Sequence, residues 1–508
     1  MGQPSSPASN ALIYVTYALF LVLGLVIAWR IRNQSKAGWL SANGSQRAIP
    51  LALNFVASAL GSGILFIYPE ISTIAGVQGL IIYAVSSSVP LLVFGWLGPI
   101  IRRKCPEGFV LTEWTRQRYG APAALYLSAA TLLTLFLYMV GELSALQQIV
   151  NALTGLNGLP AVIVQCLVTT IYTSLAGFRV SFYTDNVQGS MVILIIILCI
   201  IAIGSTTNID RSLIRQSGYL DPSLLGWQLI YILPVALITN SFFLSSFWLR
   251  TFASRTDKDL RIGTGIAAFV ILIILTFVGS TGLIATWSGV WPGSPPQSGS
   301  IALFLLLAQL PSWVVAIVLV ATVSLSTAAF DSLQTAMIST ASNDLFRNRL
   351  NLWIVKASVV VLIVPVVVVA LKSPSVLRIF LISDLLSAAI IPILILGLSS
   401  RFHTLRGFDI VVGGLGGVFT VFLFGLVYYA DQPDTAHRAA QLLILTDGLY
   451  ADDWSAFGAF VAAPLGGFLW GAGAWTLRVG ILWVLAKMRG TRFDALDGPS
   501  ASDDDAQS

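Results

Sequence analysis

The stretch NFVASALGSGILFIYPEISTIAG, residues 54–76, sets small residues, glycines and a proline inside an apolar run. Glycine favours unwinding and proline removes a backbone donor, so a helix through this segment is expected to break. At membrane depth, unwound backbone is tolerated only where protein or a wet cavity satisfies its polar groups. The stretch therefore predicts a discontinuous membrane helix beside a binding cavity.

The composition places this break in a membrane protein. The 508 residues are 56% hydrophobic and only 10% charged, and the mean hydropathy is +0.84. We therefore predict an all-α integral membrane protein, because this is more apolar surface than a water-soluble globule can bury. Apolar runs of membrane-spanning length number roughly thirteen. They lie near residues 11–30, 50–75, 77–100, 121–151, 159–176, 187–205, 226–249, 263–287, 301–342, 351–371, 374–398, 410–430 and 456–486.

The positions of Lys and Arg predict the orientation. With the N-terminus outside and the C-terminus in the cytoplasm, most of the 28 basic residues fall in inner connectors, as the positive-inside rule requires. Arg30 and Arg32 follow the first span, which we interpret as a retained signal anchor. The expected surroundings are a lipid bilayer, most simply the plasma membrane. The net charge of +5 is topological, so no nucleic-acid partner is expected.

A second interrupted segment, LIYILPVALITNSFFLSSFW at residues 229–248, matches the first. Each opens a set of about five spans, and paired interruptions are typical of an inverted-repeat transporter with a site at the midplane. Close helix packing through small residues is the alternative. The predicted divisions are 1–44 (anchor helix and loop), 45–205 and 206–400 (repeats), 401–490 (peripheral helices) and 491–508 (disordered acidic cytoplasmic tail).

Three further motifs resemble the sodium/solute symporter family, over roughly residues 45–400. The segments are YTSLAGFRVSFYTDNVQ (172–188), VLTEWTRQRYG (110–120) and SFWLRTFASRTDKDLR (246–261). The resemblance implies a leucine-transporter-type five-plus-five inverted repeat, and the core is similar to fungal and plant urea/polyamine permeases. In this scheme Arg179 and Asp185 mark a cytoplasmic turn, with Asp185 capping the next helix.

The resemblance also implies a cation site. Backbone carbonyls of Ala57 and Leu60 would supply one half, and hydroxyls of the span LVATVSLSTAAFDSLQTAMISTASNDLF (319–346) the other. Ser326 and Thr327 fit the family's hydroxyl pair in one register. Aligned on Asp344, Leu345 and Phe346, the same positions fall instead on Ala328 and Ala329.

Buried carboxylates offer proton coupling as the alternative to sodium. Asp331 lies on one polar helix face with Ser324, Thr327 and Thr335, which makes it a candidate cation ligand as well. Intramembrane carboxylates are costly and usually face a cavity or a partner, so the candidate proton sites are Asp331, Asp384 and Glu142. Each could instead only bond backbone freed by a helix break. Glu70 departs from the small residue usual after this proline.

The expected function is Na⁺- or H⁺-coupled symport of a small polar solute, best guessed as urea or a polyamine, with no other cofactor. Polar and aromatic residues at the breaks are the candidate substrate contacts: Gly61, Ser62, Gly63, Gln147, Asn240, Ser241, Ser245 and Trp248. An uncoupled uniporter or channel-like derivative and a transporter-like nutrient sensor remain alternatives. No nucleophile or metal constellation favours an enzyme. Oligomeric state and stoichiometry are not predicted.

Overall fold

The computed structural model describes residues 2, 4–31, 33, 42–108, 110–293, 296–347, 349, 351–372, 375–450, 453–493 and 496. Most of the predicted tail, and part of the loop that precedes residue 45, lie outside these residues. The described residues are almost entirely helical, as predicted, and their one β-type contact is an isolated bridge between Gln46 and Ser254. The helices, numbered in chain order, are α1 (Ser6–Arg30), α2 (Ala48–Ala59), α3 (Ile64–Lys104), α4 (Leu111–Tyr119), α5 (Ala121–Thr154), α6 (Leu159–Ala176), α7 (Phe178–Thr206), α8 (Arg211–Gln216), α9 (Leu224–Ser241), α10 (Ser245–Ala253), α11 (Asp257–Trp287), α12 (Ala302–Leu307), α13 (Ser312–Phe346), α14 (Leu352–Ala370), α15 (Val376–Ile395), α16 (Gly407–Tyr428), α17 (Thr435–Leu443) and α18 (Ser455–Arg489).

Ten of the described helices are long and apolar enough to cross a membrane. One of them, α3, consists of two helical parts that meet at a non-helical kink at Gly76, where φ is 60° and ψ is −153°. It contains the second half of the span predicted at 50–75 and the whole of the span predicted at 77–100. A Cβ at Gly76 would collide with the carbonyl of Tyr219, so this kink requires glycine. Shorter apolar helices occupy other predicted spans. The exact number of thirteen crossings stays a prediction.

Both predicted helix breaks are present. Between α2 and α3 the chain leaves helical geometry at Leu60, where φ is −101° and ψ is 99°. Between α9 and α10 it unwinds over residues 242–244. Pro69 lies inside α3, after the first gap, and Pro234 lies inside α9, before the second gap. The glycines, and not Pro69, therefore locate the first break.

Two predicted helix boundaries are wrong. The span expected at 301–342 is divided into α12 and α13, because Pro311 caps the start of α13. The span expected to begin at residue 187 begins at Phe178, directly after Gly177, whose φ is 63°. Asp185 therefore lies inside α7, fully buried, and is neither a helix cap nor a headgroup residue. Gly177 supplies the turn that the sequence analysis assigned to Arg179 and Asp185.

The helix at the centre of the molecule is α13. It packs against α2, α5, α7 and α10, and its residues from 321 to 340 are buried without exception. Small side chains and hydroxyls permit this close contact on every face. The polar stripe of α13 therefore faces other helices and the interior, not lipid.

Candidate substrate cavity and cation site

The two helix breaks open on one cavity of about 150 Å³. Gly61 and Gly63 line it from the first break, and Ser241 and Ser246 line it on either side of the second. Two carboxylates also line it, Glu142 from α5 and Asp384 from α15, together with an aromatic wall. No Lys or Arg is among the described residues around this cavity. The broken helices thus frame an acidic, partly aromatic chamber.

The aromatic wall consists of Tyr68, Tyr83, Tyr138, Phe247 and Phe380. The rings of Tyr68 and Tyr83 stack with centroids 4.2 Å apart and an interplanar angle of 7°. Tyr138 meets Phe380 edge-on at 4.4 Å, and its hydroxyl accepts a hydrogen bond of 2.5 Å from the Asn240 amide. The electron-rich faces of such rings attract organic cations. Sequence analysis missed this wall, because tyrosines also belong in apolar helices for packing alone.

Glu142 is bound to the first break itself. Its Oε1 accepts hydrogen bonds from the Ser62 backbone N–H (2.7 Å) and the Ser62 hydroxyl (2.6 Å). These donors precede α3, so the carboxylate lies at the positive end of that helix. A Cβ on Gly61 would collide with Glu142 Oε2, which explains the need for glycine here. The carboxylate therefore closes the gap left by the missing turn.

Asp384 is less well satisfied. The residue is 4% exposed. The Asn240 side chain interacts with its carboxylate, but Oδ1 has no hydrogen-bond partner among the described residues. No ion pair in those parts of the chain involves it. A buried polar atom without a partner is costly, and native structures usually complete it with water, an ion or a ligand. Asp384 is thus the best placed anchor for a positively charged group.

The structure brings only some of the predicted substrate residues into this cavity. Gly61, Gly63 and Ser241 line it. Trp248 is buried away from it, with its indole N–H donating to the Phe242 carbonyl at 2.9 Å. The other predicted residues lie outside the lining: Ser62 bonds Glu142, Asn240 supports Tyr138, and Gln147 and Ser245 are not part of the wall.

A second polar cluster lies around Arg250 of α10. Its guanidinium is fully buried and donates to Asp185 Oδ2 at 2.5 Å and to the Ser332 hydroxyl at 2.9 Å. It also donates to the carbonyls of Asn54 (3.1 Å) and Ser246 (2.8 Å). Arg250 therefore ties α2, α7, α10 and α13 together. The motif that contains Arg250 was noted in the sequence, but its partner was not foreseen.

Asp331 lies beside this ion pair. Its Oδ1 accepts a hydrogen bond of 2.7 Å from the Thr173 hydroxyl, and its Oδ2 has no described partner. Three more buried oxygens of this region lack described hydrogen bonds: Asp185 Oδ1, Tyr172 Oη and Ser181 Oγ. The hydroxyls of Tyr172 and Ser181 nevertheless lie near Asp331 and can donate to its carboxylate. Two carboxylates that share a single arginine, with hydroxyl groups around them, have the chemistry to take up a proton or a small cation.

The register of α13 at the first break is visible in its contacts. The Cβ of Ala329 lies 3.4 Å from a Cβ built on Gly61, and Ala329 lines the cavity. Ser326 instead accepts a hydrogen bond of 2.9 Å from the Gln165 amide, and the Thr327 hydroxyl donates within α13 to Val323. The carbonyl groups of the last turn of α2, including that of Ala57, have no further helical turn to donate hydrogen bonds to them. Ser326 also interacts with Glu142, which binds Ser62 at the same break. One residue of each predicted register, Ser326 and Ala329, therefore lies near the first break.

Comparison with known proteins identifies the family. The profile of the "Sodium:solute symporter family" matches residues 39–407. The chain belongs to this family. A curated relative in the same group, "Spermidine transporter DUR31" from Candida albicans (strain SC5314 / ATCC MYA-2876), is 52% identical over 503 residues, which are 98% of this chain and 95% of that protein.

More distant relatives of this symporter are urea transporters. "Urea-proton symporter DUR3" from Oryza sativa subsp. japonica is 28% identical over 133 residues, 26% of this chain and 18% of that protein. "Probable urea active transporter 1" from Schizosaccharomyces pombe (strain 972 / ATCC 24843) is 24% identical over 184 residues, 35% of this chain and 28% of that protein.

Solved structures show the fold of the symporter. A Na⁺-coupled sialic acid symporter matches with a TM-score of 0.68 at 14% identity, over 91% of this chain and 97% of that one. Mhp1, a nucleobase-cation-symport-1 family transporter, matches with a TM-score of 0.55 at 13% identity, over 85% and 99% of the two chains. The predicted leucine-transporter-type fold is therefore confirmed.

Proposed function

We propose that this symporter carries an organic polycation, an aliphatic polyamine of the spermidine class, through the cavity between the two breaks. The observation that carries the proposal is the unpaired carboxylate oxygen of Asp384 in an aromatic chamber without described basic residues. A polyamine has several ammonium groups and apolar methylene segments between them. Asp384 and Glu142 would each take one ammonium group, and the tyrosine rings would pack on the methylenes.

The relatives support the polyamine more than urea. The spermidine transporter matches over nearly the whole chain, whereas the urea transporters match over about a third of it or less. Urea is neutral and leaves both carboxylates uncompensated, whereas a polyamine neutralises them. A solute bound at the helix breaks of both repeats is placed for transport by alternating access. Transport of this kind requires no chemical reaction of the solute.

The test is uptake of labelled spermidine and of labelled urea by proteoliposomes that contain the purified protein. We expect saturable spermidine uptake that other aliphatic diamines and triamines inhibit and that a large excess of urea does not. Liposomes without protein give the background. Urea uptake that spermidine fails to inhibit would overturn the polyamine assignment and leave a neutral-solute transporter.

For the coupling ion we propose a proton held at Asp331. Asp185 and Asp331 carry two negative charges against the single charge of Arg250, so the cluster has one uncompensated charge away from water. A proton on Asp331 removes that charge. Ala329 at the first break supports the proton over sodium, because its side chain offers no ligand to a sodium ion between α2 and α13.

Imposed gradients in the same liposomes separate the two ions. We expect an inward proton gradient to accelerate spermidine uptake, Asp331→Asn to abolish that acceleration, and Thr327→Ala to leave it intact. Counterflow exchange of spermidine, measured without a gradient, should survive in Asp331→Asn and shows that the variant is folded. Sodium-driven uptake lost in Thr327→Ala would place the coupling site at Ser326 and Thr327. Uptake that ignores both gradients would make the protein a uniporter.

The orientation proposed with this function has the N-terminus outside and the C-terminus in the cytoplasm, in the plasma membrane. The distribution of Lys and Arg over the connectors supports it. Cysteine labelling of intact cells tests it: a cysteine at the exposed Asp221, between α8 and α9, should react with an impermeant maleimide, and one at the exposed Glu107, between α3 and α4, should not.

A further inference from the structure

A second cavity, of about 240 Å³, borders the part of α3 that precedes the kink at Gly76. The residues of its wall that matter here are Phe66 and Glu70 of α3, Gln148 of α5, Ser300, Ser375 and Tyr450. The wall is polar, and no Lys or Arg is among the described residues that form it. Glu70 is therefore the dominant charge in this chamber.

Glu70 lies where a carboxylate needs a partner. The residue is 6% exposed, and the Tyr450 hydroxyl donates a short hydrogen bond to its Oε1. No ion pair within the described ranges includes Glu70. The nearby guanidinium of Arg378 is directed to the Ile444 carbonyl and the Thr446 hydroxyl instead. A negative charge is thus left without an opposite charge in a cavity wide enough for a ligand.

The two cavities are neighbours separated by a thin apolar layer. Phe66 and Val376 line the second cavity, and Ile67 and Phe380, their neighbours on α3 and α15, line the transport cavity. A Cβ built on Gly63 lies 3.3 Å from Phe380 and 3.5 Å from Val376. A solute that leaves the second cavity past this layer therefore arrives directly at the first break, Glu142 and Asp384.

The second cavity lies at the same end of the helices as the beginning of the chain. The Gly2 backbone N–H donates to the Ala308 carbonyl after α12, and Ser300 in the wall lies in the short 3-10 helix that leads into α12. Tyr450, which closes the cavity, is half-exposed. In the proposed orientation this is the outer side.

We propose that Glu70 and Tyr450 form an outer capture site for an ammonium group, which binds the incoming polycation before it passes Phe380 to the transport cavity. The inference rests on the proposed polyamine substrate. Glu70 attracts the leading ammonium group, and the Tyr450 hydroxyl, Gln148 and Ser300 supply hydrogen-bond partners around it. The site acts on the capture step and not on the translocation step, so its contribution belongs to KM and is screened by salt.

Initial rates of labelled spermidine uptake at low and high ionic strength test the capture site. We expect Glu70→Gln to raise KM roughly tenfold at low ionic strength with the maximal rate unchanged, because it removes an attractive charge but keeps the shape of the side chain. The wild-type KM should rise with salt, and the KM of the variant should rise much less. Glu70→Asp, which keeps the charge, should restore most of the wild-type value.

The matched control is Asp221→Asn. This change neutralises an exposed carboxylate two residues after Tyr219. The Tyr219 carbonyl accepts a hydrogen bond from the Val77 N–H of α3, which places Asp221 on the same side of the membrane as Glu70. Its KM should stay within twofold of wild type, because water screens an exposed charge. If Glu70→Gln is poorly folded, Ser300→Lys provides the same test, since a tethered ammonium group in the cavity should also raise KM.

Three results overturn the inference in distinguishable ways. Spermidine uptake by wild type with an unchanged KM in folded Glu70→Gln removes the capture site and leaves the proposed substrate. A fall in maximal rate at constant KM makes Glu70 part of the translocation step. Absence of spermidine uptake by wild type removes both proposals together.

Discussion

Asp185 and Asp384 are buried aspartates of the same helical core, and their surroundings differ in one respect. Asp185 faces Arg250 at 2.5 Å, with both side chains fully buried. Asp384 faces tyrosine rings and an open cavity, and one of its oxygens has no described partner. Where the protein provides the cation, the carboxylate fastens helices together. Where the protein leaves it out, the carboxylate is available to a ligand.

The largest effect is expected from removing the internal cation. Arg250→Met leaves Asp185 buried and unpaired, and breaking a buried ion pair from one side costs about 3–5 kcal/mol. We expect a marked fall in melting temperature and in the amount of monodisperse protein, measured by fluorescence-detected size-exclusion chromatography after heating.

The control for this change is the partly exposed pair of Arg102 and Asp257, 3.5 Å apart. Asp257→Asn should change stability by less than about 1 kcal/mol. The double variant Arg250→Met/Asp185→Leu should recover part of the loss, since no buried charge is then left alone. An Arg250→Met variant as stable as Asp257→Asn would show that the pair does not hold the helices together.

A smaller effect, on binding and not on folding, is expected at the unpaired carboxylate. Asp384→Asn removes a charged hydrogen-bond partner worth about 2–3 kcal/mol, so the affinity for spermidine should fall roughly 30- to 150-fold. Scintillation proximity binding on purified protein measures this, with melting temperature as the folding check.

Ser387→Ala, one turn along the same helix, is the matched control, because its hydroxyl donates to the Asp384 backbone carbonyl (2.8 Å) outside the cavity lining. Its affinity for spermidine should stay near that of wild type. Equal losses in Asp384→Asn and Ser387→Ala would mean that α15 acts through packing and that Asp384 does not contact the substrate.

The smallest effect is expected at Trp248, the aromatic residue that the sequence favoured as a substrate contact. Its side chain is 1% exposed, and its ring packs on Phe94 and Phe242. Trp248→Phe loses one buried hydrogen bond, worth about 1 kcal/mol of stability. The KM for spermidine should remain within twofold of wild type. A tenfold rise in KM at unchanged melting temperature would return Trp248 to the substrate site.

The breaks were predictable from sequence because their cause is local. Gly61 and Gly63 stand in an apolar run, and Asn240 and Ser241 end another, so the interrupted helices were expected before any contact was known. The boundary of α7 was not, because the residues around Asp185 read equally well as a polar turn. Only the burial of Asp185 against α10 and α13 shows that the helix continues through it.

The cavity wall was only partly predictable for a similar reason. The backbone at a break lies at the cavity wherever the helices pack, so Gly61 and Gly63 were placed correctly. The side chains of Tyr83 and Phe380 reach the cavity only through the rotation of α3 and α15. The register of α13 likewise depended on which of its faces meets Gly61.

The sequence by itself determined that this protein is a helical membrane symporter with two broken helices. Its composition, the lengths of its apolar runs and its motifs were enough, because hydrophobicity and helix breaking act over a single turn or span. The tertiary structure decided which charges are paired. Arg250 and Asp185 are 65 residues apart in the chain, and Tyr450 and Glu70 are 380 apart. Whether a buried carboxylate meets an arginine, a tyrosine or an open cavity depends on how distant helices are rotated against each other, which no local pattern encodes.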